Sequence, residues 1–261
     1  MKIVKLLKVF FVTVICIAVI GCVTEVSGKR GALNTEKGRQ EAVQAYIDLA
    51  LGYIREGQTE EAKQPLVDAL KIEPNSADVN AMIAYVFQLE QNYKDADIYF
   101  KKALSSDPSS SRILNNYGVF LFSQNRLDES KKYFLKALDD PFYSERSMVF
   151  ENIGLVELQQ NNLVKAEENF RQALLLNRSR VVSTLGLAQV YGQKKNYPAA
   201  LNYYNNYVNM MGDAQSPQGL LLGIRLSNAM NDKTSAAKYA MQLEQLYPKS
   251  VEYREYKAGS K

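Results

Sequence analysis

The chain carries few side chains whose type and spacing could do chemistry. It contains no histidine, so the commonest general base and metal ligand is missing. The acidic candidates are three adjacent pairs, Glu60-Glu61, Asp139-Asp140 and Glu167-Glu168. These pairs lie near helix starts or on polar faces, which favours a solvated role that complements helix dipoles over acid–base work. No glycine-rich phosphate loop occurs. The sequence therefore predicts no enzyme: no catalytic residue, cofactor, metal site or small-molecule substrate.

The two cysteines, Cys16 and Cys22, both lie in the first 22 residues, so the rest of the chain can form no disulfide. Cys22 follows a cationic start and a 12-residue apolar run, residues 9–20, which is short for a membrane span and typical of a signal peptide. Residues 19–22, Val-Ile-Gly-Cys, resemble a bacterial lipobox. The resemblance implies cleavage before Cys22 and acylation of this cysteine. The alternative is an ordinary secretory signal, or an uncleaved anchor, with a chance cysteine.

The residue after Cys22 and the net charge bear on location and partners. Val23 stands where the aspartate that signals inner-membrane retention would be, so the resemblance implies lipid anchoring at the periplasmic face of the outer membrane. Two or more acyl chains hold a protein stably to a bilayer. The formal charge of +4 includes three lysines of the expected signal peptide, and +4 − 3 leaves +1. No basic stripe remains, so nucleic-acid binding is not expected.

A pattern of small and large residues recurs every 34 residues in the rest of the chain. In residues 77–110 the small residues are Ala84, Ala96 and Ala103, and Pro108 ends the unit. Small side chains let two antiparallel helices approach closely, and large residues of one unit fill the gaps left by the next. This is the spacing of the tetratricopeptide repeat (TPR).

Six copies of the repeat fit, beginning near Val43, Ala77, Ser111, Ser147, Val181 and Pro217. Two residues are inserted between the third and fourth copies, around residues 143–146. The sixth copy is degenerate, with Ile224 and Leu243 where small residues are expected. The predicted fold is all-α: a TPR solenoid of six helix-turn-helix repeats in a right-handed superhelix. The expected organisation is a lipoprotein signal peptide (1–21), a lipidated N terminus and flexible tether (22–34) and the TPR domain (35–261).

The turns within the repeats share a register. They are Gly57-Gln58, Gln91-Asn92, Asn125-Arg126, Asn161-Asn162, Lys195-Asn196 and Asn231-Asp232. Gly and Asn tolerate the left-handed conformation that ends a helix, and Asn and Asp also cap the next helix. Two further expectations concern single elements: Pro65 should bend the second helix, and Tyr253 and Tyr256 should cover the exposed final helix.

A partner site is expected on the concave face of the array. By analogy with TPR proteins, positions 2, 5, 9 and 12 of each repeat point into it, and in the first four repeats they are largely apolar. The predicted groove residues are Ile47, Leu51, Ile54, Tyr85, Asn115, Val119, Phe122, Leu155 and Leu158. Leu185, Gln189 and Arg225 follow in the later repeats. The alternative is that some of these side chains belong to the core. Ile47 and Leu51 argue against the Lys- and Asn-based clamp with which other TPR proteins hold carboxylates.

Several stretches go beyond a generic TPR. They are residues 115–121 (NNYGVFL), 124–126 (QNR), Ala137, Pro141, Tyr143, 151–155 (ENIGL), 220–225 (LLLGIR), 247–250 (YPKS) and Glu252-Tyr253. With the lipobox and the six repeats, these resemble the PilF/PilW family of type IV pilus biogenesis lipoproteins, or pilotins. The resemblance implies a non-enzymatic outer-membrane lipoprotein that binds the pilus secretin and promotes its localisation and multimer assembly.

The resemblance has departures, and a second function stays open. Some family members carry a cysteine pair where this chain has Phe122 and Val156, and Leu221 replaces a common aromatic residue. These changes affect the details of the groove and remove no catalytic group. The alternative function is a TPR lipoprotein adaptor that recruits other envelope proteins, such as peptidoglycan hydrolases.

Overall fold

The computed structural model describes residues 32–259, and this part of the chain is helical without strands. A 3-10 turn, Ala32–Asn34, precedes thirteen α-helices. They are α1 Glu36–Arg55, α2 Thr59–Ile72, α3 Ala77–Leu89, α4 Tyr93–Ser106, α5 Ser111–Ser123, α6 Leu127–Ala137, α7 Arg146–Gln159, α8 Leu163–Leu176, α9 Val181–Gln193, α10 Tyr197–Met211, α11 Pro217–Ala229, α12 Lys233–Leu246 and α13 Val251–Gly259. The predicted signal peptide, Cys22 and most of the tether lie outside the described residues. The predicted all-α repeat fold is confirmed.

The helices form two compact units, which divide after Pro74. The first unit contains the pair α1/α2. Thr35 caps α1 by accepting a 3.0 Å hydrogen bond from the Gly38 amide, and the helix begins seven residues before the first repeat position at Val43. Ala62 and Leu66 of α2 are fully buried. α2 continues without a break through Pro65, which is itself buried.

The second unit contains five helix pairs, from α3/α4 to α11/α12, followed by α13. Its core repeats one contact, in which a large ring of the second helix packs on a glycine of a first helix. A Cβ on Gly118 would lie 2.5 Å from the Phe134 ring. Phe170 is used twice: a Cβ on Gly154 would lie 2.6 Å from it, and one on Gly186 would lie 2.5 Å from it. The ring therefore sits between α7 and α9 and fixes their spacing.

The six turns adopt the predicted left-handed conformation at their first residue. The φ angles are 77° at Gly57, 59° at Gln91, 58° at Asn125, 59° at Asn161, 58° at Lys195 and 62° at Asn231. Gln91 and Lys195 show that the fold imposes this conformation even where neither Gly nor Asn is present. At the second turn position, the side chains of Asn92, Asn196 and Asp232 cap the following helix, whereas that of Asn162 does not.

The sixth repeat shifts its close helix contact by one residue. Ile224 occupies the small-residue position, and the helices approach at Gly223 instead, where a Cβ would lie 2.1 Å from the Tyr204 hydroxyl oxygen. Ile224 and Leu243 join a terminal core cluster, against which Tyr253 and Tyr256 pack. Both tyrosines pack on α11 and α12, which agrees with the prediction that they cover the exposed final helix.

The helix α13 is the beginning of a seventh repeat. It starts at Val251, and 251 − 217 gives 34 residues from the start of α11. Gln218 Nε2 donates a 2.6 Å hydrogen bond to Glu252 Oε1, again 34 residues away. No residue of α13 is fully buried, so this half-repeat closes the core with a polar outer face.

Candidate functional site

The predicted groove residues differ in exposure. At position 9, Tyr85 is 39% exposed and Val119 is 38% exposed. The half-buried members are Leu51, Ile54, Phe122, Leu155 and Leu158. Ile47 and Asn115 are buried, with exposures of 6% and 1%. Ile47, Leu51 and Ile54 belong to the first unit, and the other predicted residues belong to the second.

Position 5 is a packing position in most repeats, although the TPR analogy placed it on the partner face. It is buried in five of the six repeats, at Ile47, Ala81, Asn115, Glu151 and Leu221. The Asn115 side-chain oxygen accepts a 3.0 Å hydrogen bond from the Asn152 amide of the next repeat. Asn115 and Ile47 therefore cannot offer side chains to a partner in this conformation, because neighbouring side chains already enclose them.

Glu151 at position 5 of the fourth repeat binds α7 to α9. Its carboxylate pairs with the Arg180 guanidinium and accepts hydrogen bonds from the Ser183 amide at 2.9 Å and the Ser183 hydroxyl at 2.8 Å. The carboxylate is almost fully buried, at 4% residue exposure. A buried carboxylate with this many partners is an inter-repeat tie, and its lone pairs are occupied.

A pocket with a volume of about 380 Å³ opens on the later repeats of the second unit. Its lining comes from α7, α9, α10 and the start of α11, and consists of Leu155, Leu158, Val181, Val182, Leu185, Gly186, Gln189, Tyr207, Met211, Ser216 and Gln218. Of the predicted groove residues, Leu155 and Leu158 meet here, together with Leu185 and Gln189 from the following repeat. The volume lies within the range of small-ligand and side-chain pockets.

The chemistry of the pocket suits an uncharged, apolar guest. Within the described part of the chain, no Asp, Glu, Lys or Arg lines it. The Gln189 side-chain amide makes no hydrogen bond to another described residue, so a donor and an acceptor remain available among aliphatic side chains. Gln218 and Ser216 are already engaged, with Glu252 and with Tyr207 respectively. The arrangement can hold apolar side chains and hydrogen-bond a peptide main chain, but it offers no acid, base or nucleophile.

Tyrosine hydroxyls fix the far wall of the pocket. The Tyr207 hydroxyl oxygen accepts a 2.8 Å hydrogen bond from the Ser216 amide and lies 3.1 Å from the Ser216 hydroxyl. Gln215 beside it accepts from Tyr204 at 3.1 Å and, through its backbone carbonyl, from Tyr247 at 2.9 Å. The α10–α11 connection is thus held at several points, so the pocket wall is preorganised.

A charged network on the same repeats ties α8 to α9. Partial burial alone would raise the pKa of Glu167, but hydrogen bonds from Lys194, Tyr191 and Arg171 lower the pKa to about 2. The Lys194 ammonium donates at 2.7 Å and Arg171 Nε at 3.0 Å. Glu167 belongs to the acidic pair Glu167-Glu168, and its environment stabilises the ionised form of its carboxylate. This environment suits a structural ion pair and not a general acid.

Two pocket residues occupy groove positions of the TPR repeat but were not among the predicted groove residues. They are Val182 and Gln218, which lie at position 2 of the fifth and sixth repeats, and both line the pocket. Val182 is 44% exposed. Tyr207 and Met211 come from the second helix of the fifth repeat, and the groove positions give no signal for them. Both residues lie in the last two turns of α10, which ends before Gly212, where φ is 54°.

The described residues offer neither a metal cluster nor a membrane-spanning helix. In residues 32–259, no three His, Cys, Asp or Glu side chains come together as a metal ion would require. Over the same range, no helix combines the length and apolar character needed to cross a bilayer.

Comparison with known proteins places the chain in a family. Models described as tetratricopeptide repeat match residues 43–76, 82–144 and 152–219. The type IV pilus assembly protein PilF of Pseudomonas aeruginosa is 45% identical over 247 residues, which is 95% of this chain and 96% of PilF. The chain belongs to the PilF/PilW family. The match extends well beyond the TPR spacing, since it spans nearly the whole of both chains.

Solved structures of PilF/PilW proteins agree with this assignment. A P. aeruginosa PilF structure superposes with a TM-score of 0.77 at 46% identity, covering 85% of this chain and all of that one. A structure of PilW, a type IV pilus biogenesis factor, gives 0.74 at 28% identity, covering 82% and 97%. PilF/PilW proteins are TPR scaffolds, and the matches indicate no enzymatic family.

Proposed function

We propose that this protein acts in type IV pilus biogenesis as a non-enzymatic outer-membrane lipoprotein that binds the pilus secretin and promotes its localisation and multimer assembly. The observation that carries the proposal is the 45% identity to the P. aeruginosa pilus assembly protein PilF over 95% of this chain. Such identity over nearly full length argues for the same process. The proposal adds three details to this process. The partner is the pilus secretin, the anchor is the acylated Cys22, and the location is the periplasmic face of the outer membrane.

The concave surface of the second unit offers a physical means of binding. A secretin segment that lies extended along α7, α9 and α11 could place apolar side chains in the pocket of about 380 Å³. The free Gln189 amide could hydrogen-bond the segment's main chain. Burial of two apolar side chains of the segment contributes roughly 3–6 kcal/mol before the cost of ordering the segment, so the pocket supplies only part of the binding free energy.

A gene deletion tests the process. We expect loss of surface pili and of heat-stable secretin multimers in the membrane fraction, with both restored by the full-length gene. Wild-type multimer levels in the deletion strain would overturn the secretin part of the proposal. If pili are then also normal, the pilus role itself is wrong.

A matched pair of surface variants tests the pocket. Val182→Asp places a carboxylate in the pocket at a residue that is 44% exposed, and Val164→Asp makes the same change on α8 at a residue that is 74% exposed. Neither should lower the melting temperature much, since neither side chain is buried. We expect secretin multimers to fall with Val182→Asp and to stay at wild-type levels with Val164→Asp. Wild-type multimer levels in the Val182→Asp strain would exclude the pocket as the secretin site, whereas the proposed role in pilus biogenesis would stand.

A further inference from the structure

The loop between α6 and α7, residues 138–145, presents an aromatic side chain to solvent. Phe142 is 92% exposed, more than any other large apolar residue of the described chain; Leu175 and Val164 follow at 76% and 74%. Single exposed apolar residues are common on protein surfaces and need no function. Phe142 differs from these residues because hydrogen bonds fix the loop that carries it and because exposed carboxylates flank it.

The loop that carries Phe142 is fixed from both ends. Arg146 Nη1 donates hydrogen bonds to two backbone carbonyls of the loop, Leu138 O at 2.7 Å and Asp140 O at 2.8 Å. The Phe142 amide donates to Asp140 Oδ1 at 2.9 Å. Tyr143, the next residue, is half-buried and packs on the core formed by α5, α6 and α7. The loop thus anchors the Tyr143 ring in the core and leaves the Phe142 ring exposed, so little backbone entropy remains to be lost when Phe142 is bound.

Carboxylates flank the exposed ring. Asp139, Asp140 and Glu145 are all exposed, and none forms an ion pair with another residue of the described chain. The cation within the segment, Arg146, is engaged with backbone carbonyls. The Arg146 guanidinium keeps its positive charge, so residues 139–146 carry −3 + 1 = −2 around the exposed aromatic ring.

We propose that residues 139–145 form a second docking site, in which Phe142 inserts into an apolar pocket rimmed by Lys or Arg on a folded protein partner. Aromatic residues are enriched at the centres of protein interfaces, and charges at the rim set specificity and association rate. An anionic membrane is disfavoured, because its negative surface repels the three carboxylates. The site is separate from the pocket on α7, α9 and α10, and it does not depend on the identity of the partner bound there.

Photocrosslinking in cells tests the site. The full-length protein would carry benzoylphenylalanine in place of Phe142, or in place of Val164 as the control. We expect a discrete ultraviolet-dependent protein adduct from position 142 and none from position 164, with a crosslinked peptide that combines apolar residues with Lys or Arg. No adduct, the same adduct from both positions, an adduct of two copies of this chain, or labelled lipid alone would overturn the proposal.

Charge reversal supplies the second arm of the test. Asp139→Lys combined with Glu145→Lys should lower the yield of the adduct about tenfold or more, because the new lysines repel the basic rim of the partner. Glu61→Lys combined with Glu168→Lys is the control, because both glutamates are exposed and the two changes raise the net charge by the same amount. This control should leave the adduct yield unchanged. An adduct that persists at full yield after reversal of Asp139 and Glu145 would contradict the basic-rimmed partner.

Discussion

At the scale of the residue, stability rests on contacts that leave no room for an added atom. Phe170 is fully buried between Gly154 and Gly186, and the ring occupies the space where a Cβ of either glycine would lie. Gly52 in the first unit has no heavy atom within 4 Å of the corresponding position. The same substitution should therefore have opposite signs at the two kinds of site.

We expect Gly186→Ala to destabilise the protein by about 1–2 kcal/mol, because overpacking against Phe170 outweighs the gain in helix propensity. Gly52→Ala should stabilise α1 by about 0.5–1 kcal/mol, since only the propensity gain applies. Thermal and urea unfolding, followed by circular dichroism, measure both. A Gly186→Ala protein as stable as wild type would show that the Phe170 ring moves aside freely.

Glu167 gives a pH-dependent prediction. Its pKa of about 2 in the folded state lies below the ordinary value of 4.5, so its ionised form stabilises the fold. That stabilisation is fully present above about pH 4.5 and is lost as the pH falls toward 2. We expect Glu167→Gln to cost about 1–3 kcal/mol at pH 6, and the gap to wild type to narrow between pH 4.5 and 2.5.

The neighbouring residue provides the control for this measurement. Glu168 is exposed and forms no ion pair with another described residue, so Glu168→Gln should follow the wild-type unfolding curve at each pH. A constant gap between Glu167→Gln and wild type from pH 6 to 2.5 would contradict the assigned role of the ionised carboxylate.

At the scale of the element, side-chain pairs connect several repeats of the second unit to the repeat that follows. Asp78 pairs with Arg112, Asn125 accepts from Gln159, and Gln218 donates to Glu252; each pair is 34 residues apart. The last of these pairs makes α13 the first helix of an unfinished repeat. Its tyrosines replace the neighbour that the terminal core would otherwise lack.

Removal of α13 should expose the terminal core. We expect a chain ending at Ser250 to lose on the order of 2–3 kcal/mol of stability, because the half-buried rings of Tyr253 and Tyr256 no longer cover Leu220 and Ile224. Binding of the dye ANS should rise, since apolar surface becomes accessible. A chain that lacks only residues 260–261 is the control and should unfold like wild type. An unchanged melting temperature without α13 would mean that the helix contributes little to the fold.

At the scale of the whole molecule, the helical body and the proposed anchor are separable. The described helices carry the core of both compact units, and the two cysteines lie before them. The fold of residues 32–259 therefore should not depend on acylation, whereas membrane attachment should depend on Cys22.

Cys22→Ala should abolish acyl labelling and leave the helices folded. Incorporation of radiolabelled palmitate measures the first effect, and circular dichroism of the purified protein measures the second. Membrane retention of the variant through an uncleaved apolar segment is compatible with this prediction. Continued palmitate incorporation would exclude Cys22 as the acylated residue.

The sequence by itself determined the fold, the register of the repeats and the family. The 34-residue spacing is read from residue type alone, because small residues and rings must recur wherever helices meet in the same way. The conformation of the turns was also predictable from the sequence, because each repeat needs a residue with positive φ at the same position. Lys195 adopts this left-handed conformation as well. The segments around Asn115, Glu151 and Leu220 carried the PilF/PilW resemblance, which the near-full-length match confirms.

Only the tertiary structure decided which groove residues a partner can reach. Asn115 and Glu151 occupy groove positions in the sequence, but contacts with the next repeat bury them. The pocket joins Leu155 to Met211, residues more than fifty positions apart on different helices. The exposure of Phe142 likewise depends on how Arg146 folds the inserted segment. Exposure is set by neighbours that are distant in the chain, so a periodic pattern can place a residue on a face but cannot say what covers it.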